Sequence, residues 1–129
     1  GDALEIAFST NSNAGTNRKA FLLSDQHFGI RATSTPVLWN WRSGTNAKGT
    51  VITKTTKTGY VIEAVIPMEQ FIAAPFVAGN NYQIEIAIDA GTTKGRDKQY
   101  RWNNPYNEGF HTSPQLWGQM RIINETATK

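Results

Sequence analysis

The chain has 129 residues, a length that fits one domain with its own hydrophobic core. Its charged fraction is 18% and its net charge is +3, and it contains no Cys. Disulfides, thiolate nucleophiles and Cys-ligated zinc are therefore excluded. The basic residues are scattered rather than clustered, which argues against a nucleic-acid-binding face. No run of about 18 apolar residues occurs, so we expect no contact with a membrane core.

Alternation of apolar and polar residues is the dominant pattern and predicts β-strands. The segment 3–8 places its large apolar residues on one face and Glu5, flanked by alanines, on the other. The segments 26–33 and 82–89 alternate in the same way. The segment 50–57 is rich in Thr and other β-branched residues, which indicates an exposed strand.

The segment 60–66 is apolar on both faces, a pattern typical of a central strand. Glu63 within it is then expected to be a buried carboxylate held in an ion pair. Pro67 ends the strand and is well suited to begin a short helix at about 67–73.

Seven or eight short strands with turn residues at roughly ten-residue spacing predict an all-β fold. We expect a single domain over residues 1–129, an antiparallel and jelly-roll-like β-sandwich with one short helix. The sequence shows no internal repeat and no linker.

Few residues are available for catalysis. The chain has two His residues and no Gly-x-Ser-x-Gly motif, and His27 and His111 lack metal-ligand spacing. Glu5 and Glu85 each lie between small residues on a polar strand face. Such carboxylates are compatible with solvated sheet positions, with a glycosidase pair, or with acceptors for sugar hydroxyls.

Aromatic residues near loops are the second informative group. Trp39 and Trp41 share one face beside a loop, and Tyr106 and Phe110 lie in the Asn-rich loop 103–110. Aromatic rings can stack on the C–H faces of pyranoses, while neighbouring amides bond the hydroxyls. The alternative for each ring is packing onto the end of the sandwich.

Three motifs, in order and spacing, resemble those of a family 9 carbohydrate-binding module. They are DALEI at 2–6, GYVIEAVIP at 59–67, and WNNP at 102–105 followed by Pro114 and WG at 117–118. The resemblance implies a non-catalytic β-sandwich attached to secreted polysaccharide-degrading enzymes. Related modules hold the reducing end of a glucan or xylan chain between two aromatic rings.

The resemblance also implies site residues. Glu5 matches the sugar-binding glutamate, Arg31 matches a binding arginine with Gln26 as the alternative, Asn107 matches a binding asparagine, and Phe110 replaces one stacking tryptophan. Glu85, Trp39 and Trp41 are additional candidate contacts. Ala87 stands where the family has a binding glutamine. The second stacking tryptophan and the family's opening strands would precede residue 1, so the match covers the C-terminal two-thirds of the family domain.

The sequence therefore predicts a secreted or cell-surface module that binds cellulose- or xylan-type polysaccharide and is no enzyme itself. The alternative is a structural or spacer β-sandwich that has lost sugar binding. No cofactor is required, and a structural calcium ion, which the resemblance implies for many such modules, is left open. Open sheet edges are expected to be covered by a second copy, another chain or a rearranged terminal strand.

Overall fold

A computed structural model describes residues 1–71 and 76–125, and within them the chain forms nine β-strands and two 3-10 turns. The strands are β1 (Ala3–Ser9), β2 (Asp25–Arg31), β3 (Leu38–Asn40), β4 (Thr45–Asn46), β5 (Thr50–Thr55), β6 (Tyr60–Val65), β7 (Asn81–Thr92), β8 (Gly95–Arg101) and β9 (Gly118–Arg121). The 3-10 turns are Met68–Gln70 and Pro114–Leu116. No helix in these two ranges is long and apolar enough to cross a membrane.

Seven of the strands form one antiparallel sheet in the order β4-β3-β2-β1-β7-β8, and β9 also pairs with β7. The strand β7 has 12 residues, which is long enough for one of its edges to carry two partners. Its first half pairs with β9 and its second half with β8, while β1 lies along the other edge. The strands β5 and β6 form a separate two-stranded sheet.

The main core lies between the large sheet and the β5–β6 hairpin. Alternation in β1, β2 and β7 sends their large apolar side chains to this side, where Phe8, Phe28, Ile30 and Leu38 are buried. The hairpin contributes Val51 and Ile62. Phe8 and Phe28 stack with their ring centroids 6.1 Å apart. The predicted all-β, antiparallel sandwich is therefore confirmed.

Three local predictions were wrong. The strand β6 is not central, because it pairs only with β5 in the described residues, and its outward-facing Val61 and Val65 are exposed. Glu63 is exposed for the same reason. The helix expected at 67–73 is a 3-10 turn, Met68–Gln70, and residues 72 and 73 lie outside the described residues. The expectation that open edges are covered by a second copy, another chain or a rearranged terminal strand stays a prediction.

The opposite side of the large sheet, which we call the polar face, carries alternating small and polar residues. Those on β1, β2 and β7 are Ala3, Glu5, Ala7, Ser9, Asp25, His27, Gly29, Arg31, Glu85, Ala87 and Asp89. Loops before β2 and after β8 fold over one half of this face, around Ala7, Asp25 and Glu85, which we call the covered half. The half around Ala3, Glu5, Gly29, Arg31 and Asp89 is the open half.

Candidate functional site

Strand register places the side chains of the open half in two rows across the sheet. The first row contains Arg31, Ala3, Asp89 and Gln99, and the second contains Trp39, Gly29, Glu5, Ala87 and Arg101. Because Ala3 and Gly29 are small, the sheet backbone forms a low floor between the larger polar and aromatic side chains, whereas Ala87 in the second row is covered by Phe110. The open half is thus shaped to accept a flat group.

A hydrogen-bonded charge cluster stands at the centre of this floor. Nε2 of His27 lies 2.7 Å from Oε2 of Glu5, a buried contact in which the imidazole N–H donates to the carboxylate. Nη1 of Arg96 lies 3.8 Å from Oε1 of Glu5 and 3.4 Å from Oδ1 of Asp89. Gln99 donates from Nε2 to the same Asp89 oxygen at 2.8 Å.

The pKa values of the two carboxyl groups of this cluster are shifted in opposite directions. Burial, a hydrogen bond with Glu5 and repulsion by its charge raise the pKa of Asp89 to about 6, against the lowering influence of Gln99 and Arg96. Burial also acts to raise the pKa of Glu5, but hydrogen bonds from His27 and Asp89 and the charges of His27 and Arg96 outweigh it and hold that pKa below its usual value. At pH values between the two pKa values, Asp89 is mostly protonated and Glu5 is mostly ionised.

An open cavity of about 540 Å³, which we call the cleft, lies beside this cluster. Its lining includes Glu5, Gly29, Arg31, Trp39, Trp41 and Asp89. The indoles of Trp39 and Trp41 meet edge to face, with centroids 6.2 Å apart at 78°. Trp41 is 55% exposed, so it offers ring surface to the solvent.

Gly29 is required for this placement of Trp41. A Cβ at residue 29 would lie 2.8 Å from Nε1 of Trp41, which is closer than atoms normally approach. The same indole stacks on the ring of His27 with centroids 5.9 Å apart. A second cavity of about 460 Å³ lies on the other side of Trp41, lined by Phe21, His27, Arg42 and His111 among others.

Four of the candidates from the sequence meet at the cleft, and four do not. Glu5, Arg31, Trp39 and Trp41 are brought together there. Gln26 pairs with Phe8 and lies on the apolar side of β2, facing away from the cleft. Its position in the register therefore removes it as the alternative to Arg31.

Glu85 is fully buried and has a structural role. Its carboxylate accepts hydrogen bonds from the backbone N–H groups of Ile86, Asn103 and Asn104, at 3.0, 2.8 and 3.2 Å. These bonds tie the loop after β8 to the sheet, so the carboxylate is not available to a ligand.

Phe110 is fully buried, which corrects the expectation of an exposed stacking ring. It packs on Ala7, Ala87 and Trp117, and its ring meets that of His27 edge to face at 5.6 Å. The small side chains of Ala7 and Ala87 leave room above the sheet for the Phe110 ring. We therefore do not place Phe110 in a ligand contact.

Asn107 lies on the exposed part of the same loop and does not line either cavity. Its backbone N–H and its Nδ2 both bond to Oδ1 of Asn104, at 3.2 and 3.1 Å. In this structure its polar groups therefore shape the loop.

Sequence reasoning did not single out Asp89, His27, Arg96 and Gln99 as site residues. Asp89 carried a usable signal, because it follows Glu85 and Ala87 on the polar face of the same alternating strand. Arg96 and Gln99 belong to β8, whose register could not be read from the sequence. Among residues 1–71 and 76–125, no group of three or more His, Asp or Glu side chains could hold a metal ion.

Comparison with known proteins agrees with the motifs. A family model described as "Carbohydrate family 9 binding domain-like" matches residues 1–125. The chain belongs to this family. No match is found among curated proteins.

Two solved structures share the fold, both of a family 9 carbohydrate-binding module from Caldicellulosiruptor kristjanssonii. One is a complex with glucose and the other with cellotriose, and each superposes with a TM-score of 0.71 at 15% sequence identity. They match 96% of this chain, which in turn spans only 60% and 58% of theirs.

Proposed function

We propose that the chain is a non-catalytic module that binds cellulose- or xylan-type polysaccharide in the cleft. The observation that carries this proposal is the pair of indoles, Trp39 and Trp41, placed beside the charge cluster over a floor of Ala3 and Gly29. A sugar residue needs both features, an apolar surface for its C–H face and fixed polar groups for its hydroxyls.

The polar groups of the cleft are suited to vicinal hydroxyls. Ionised Glu5 is a charged acceptor, and such hydrogen bonds are about twice as strong as neutral ones. The carboxyl oxygens of Asp89 can accept, and Arg31 supplies N–H donors on the far side of Ala3. Donors and acceptors therefore surround the floor.

Family membership supports a saccharide as the ligand. The module from Caldicellulosiruptor kristjanssonii was solved with glucose and with cellotriose. We extend that ligand class to this protein. The contact point that the sequence motifs imply is the reducing end of the polysaccharide.

Binding rather than hydrolysis follows from the carboxyl geometry. Glycosidases place two carboxyl groups on opposite sides of the scissile bond, roughly 5 Å or more apart. Here Glu5 and Asp89 belong to a single hydrogen-bonded cluster on one side of the cleft. We propose that the module is secreted and that it directs an attached glycoside hydrolase to polysaccharide.

A second candidate function is that of a spacer domain that no longer binds sugar. Two observations favour it: Ala87 replaces the family's binding glutamine, and Phe110, at the position of a stacking ring, is buried. The cleft residues argue the other way, since a spacer has no need for two indoles beside an exposed arginine.

Calorimetric titration with glucose, cellotriose and xylotriose tests the proposal. We expect the wild type to bind and the Trp39→Ala variant to bind about tenfold more weakly, because stacking on one ring contributes roughly 1–3 kcal/mol by analogy with nucleobases. Cellotriitol, which lacks a reducing end, reports on the preference for chain ends.

Trp102→Ala is the matched control, because this indole is also exposed but does not line the cleft. It should bind like the wild type. Equal affinities of the wild type and Trp39→Ala would show that the saccharide does not bind in the cleft. Absence of binding to every sugar would favour the spacer.

A further inference from the structure

Arg31 differs from the other cations of the open half. It lies at the end of β2, exposed, and lines the cleft beside Trp39. In the described part of the chain its guanidinium forms no ion pair and no side-chain hydrogen bond, whereas the other cations are engaged. Arg96 contacts both carboxyl groups, and Arg101 donates to the carbonyl oxygens of Asn104 and Pro105 at 3.0 and 2.9 Å.

The acids of the cleft are engaged as well. Glu5 bonds to His27 and Asp89 bonds to Gln99, while Arg96 lies near both carboxyl groups. Within residues 1–71 and 76–125, Arg31 is therefore a cation of the cleft that no carboxylate contacts. A neutral sugar would leave this charge facing only water and hydroxyls.

The rows of the sheet fix where Arg31 stands relative to the carboxyl groups. Arg31 and Asp89 flank Ala3 on either side, so their Cα atoms are two strand spacings, roughly 9.6 Å, apart. A pyranose lying over Ala3 can place one edge against Asp89 and the opposite edge against Arg31.

We propose that Arg31 recognises a carboxylate on the saccharide, so that the cleft prefers a polysaccharide substituted with uronic acid over the neutral chain. This inference rests on the proposed function. A guanidinium offers parallel N–H donors that match the two oxygens of a carboxylate, and this geometry gives specificity as well as affinity. The indoles and the carboxyl cluster bind the neutral part of the sugar.

The test compares three ligands by calorimetry: xylotriose, xylotriose carrying one glucuronic acid, and the latter with its carboxyl group reduced to an alcohol. The wild type should bind the acidic ligand about five- to tenfold more tightly than the other two. This preference should shrink as salt is raised from 50 to 500 mM, because exposed charges are screened.

Arg31→Gln should lose the preference, because its affinity for the acidic ligand should fall about five- to tenfold further than its affinity for xylotriose, and Arg31→Lys should keep part of the preference. Arg121→Gln is the matched control, since this exposed arginine lies on β9 opposite Asn81. That position is eight residues before Asp89 along β7, roughly 27 Å from the row of Asp89. This variant should retain the preference.

Equal binding of xylotriose and the acidic ligand by the wild type overturns the inference and leaves the proposed function standing. An equal loss of both ligands in Arg31→Gln also overturns it, because Arg31 would then bind hydroxyls only. If no ligand binds to the wild type, the proposed function itself fails, and the inference fails with it.

Discussion

The two halves of the polar face have similar floors, but protein side chains cover only one of them. Each has a floor of small residues, with charged groups beside it. In the covered half, Ala7 and Ala87 lie beneath Phe110 and Trp117, so the chain supplies its own rings. In the open half, Ala3 and Gly29 form the floor, and the cavity above them is empty of protein atoms.

The arginines of the two halves differ in the same way, because one has a partner within the protein and the other does not contact a carboxylate in the described residues. In the covered half, Arg18 contacts Asp25 at 2.6 Å, with 11% and none of their side-chain surfaces exposed, and Arg18 also bonds to Gln83. Asp25 accepts a further bond from the N–H of Leu22 at 2.8 Å. In the open half, none of the side chains that the structure describes forms such an ion pair with Arg31. The covered half shows what a ligand would supply to the open half, namely a ring over the alanine floor and a partner for the arginine.

Removal of the internal ring should have the largest effect. We expect Phe110→Ala to lower the free energy of unfolding by about 4 kcal/mol, because a fully buried phenyl ring leaves a cavity. Chemical denaturation measures this change. The control is Tyr106→Ala in the same loop, where the side chain is 93% exposed and the cost should stay below about 0.5 kcal/mol. A stable Phe110→Ala variant with weakened saccharide binding would place the ring at the ligand instead.

Loss of the internal ion pair should have the next largest effect. Arg18→Ala leaves the buried carboxylate of Asp25 without its charge partner, and we expect a loss of about 3 kcal/mol of stability. Arg42→Ala is the matched control, because this exposed guanidinium forms no ion pair in the described residues. It lies over the Phe21 ring at 4.7 Å and donates to the carbonyl oxygen of Leu22 at 3.3 Å. Similar denaturation midpoints for the two variants would mean that the covered half does not depend on its ion pair.

The smallest effect concerns pH and is expected only in the open half. Because Asp89 has a folded pKa of about 6 against an ordinary 3.8, the folded protein binds this proton more tightly than the unfolded chain does. Its contribution to stability is full below about pH 4 and is lost as the pH rises to about 6. The lowered pKa of Glu5 acts in the opposite direction, since its contribution is lost as the pH falls below its ordinary 4.5.

Denaturation of the wild type and Asp89→Asn between pH 4 and 7 isolates this effect. The difference in stability between the two proteins should change across this range in the direction just given, with the wild type losing stability relative to the variant as pH rises. A difference that does not vary with pH would show that Asp89 titrates equally in the folded and unfolded states.

Alternation in the sequence was sufficient to predict the two faces of the sheet. It assigned Leu4, Ile6 and Phe8 to the core side and Glu5 to the polar side, as the register confirms. Alternation is a local property of each strand, so it can be read before the partners of that strand are known.

What the sequence could not predict depends on non-local packing. The β-branched run in β6 is compatible with both a central strand and an outer hairpin, and only pairing decides between them. Phe110 and Glu85 were interpreted as accessible because nothing local shows that the loop after β8 folds back over Ala7 and Ala87. For the cleft, Trp39 and Trp41 could be predicted because they share a face. Arg96 could not, because only the pairing register of β7 and β8 brings it close to Glu5.

The pairing of β1 with β7 has a consequence for synthesis of the chain. The strand β1 can form a hairpin with β2 early, but its other edge pairs with residues near Ile88. Until β7 has left the ribosome, that edge exposes unpaired backbone groups, and contacts of such long sequence separation form slowly. The nascent chain therefore passes through a period in which β1 is open to pairing with other chains, and a chaperone that shields it would raise the yield of folded protein.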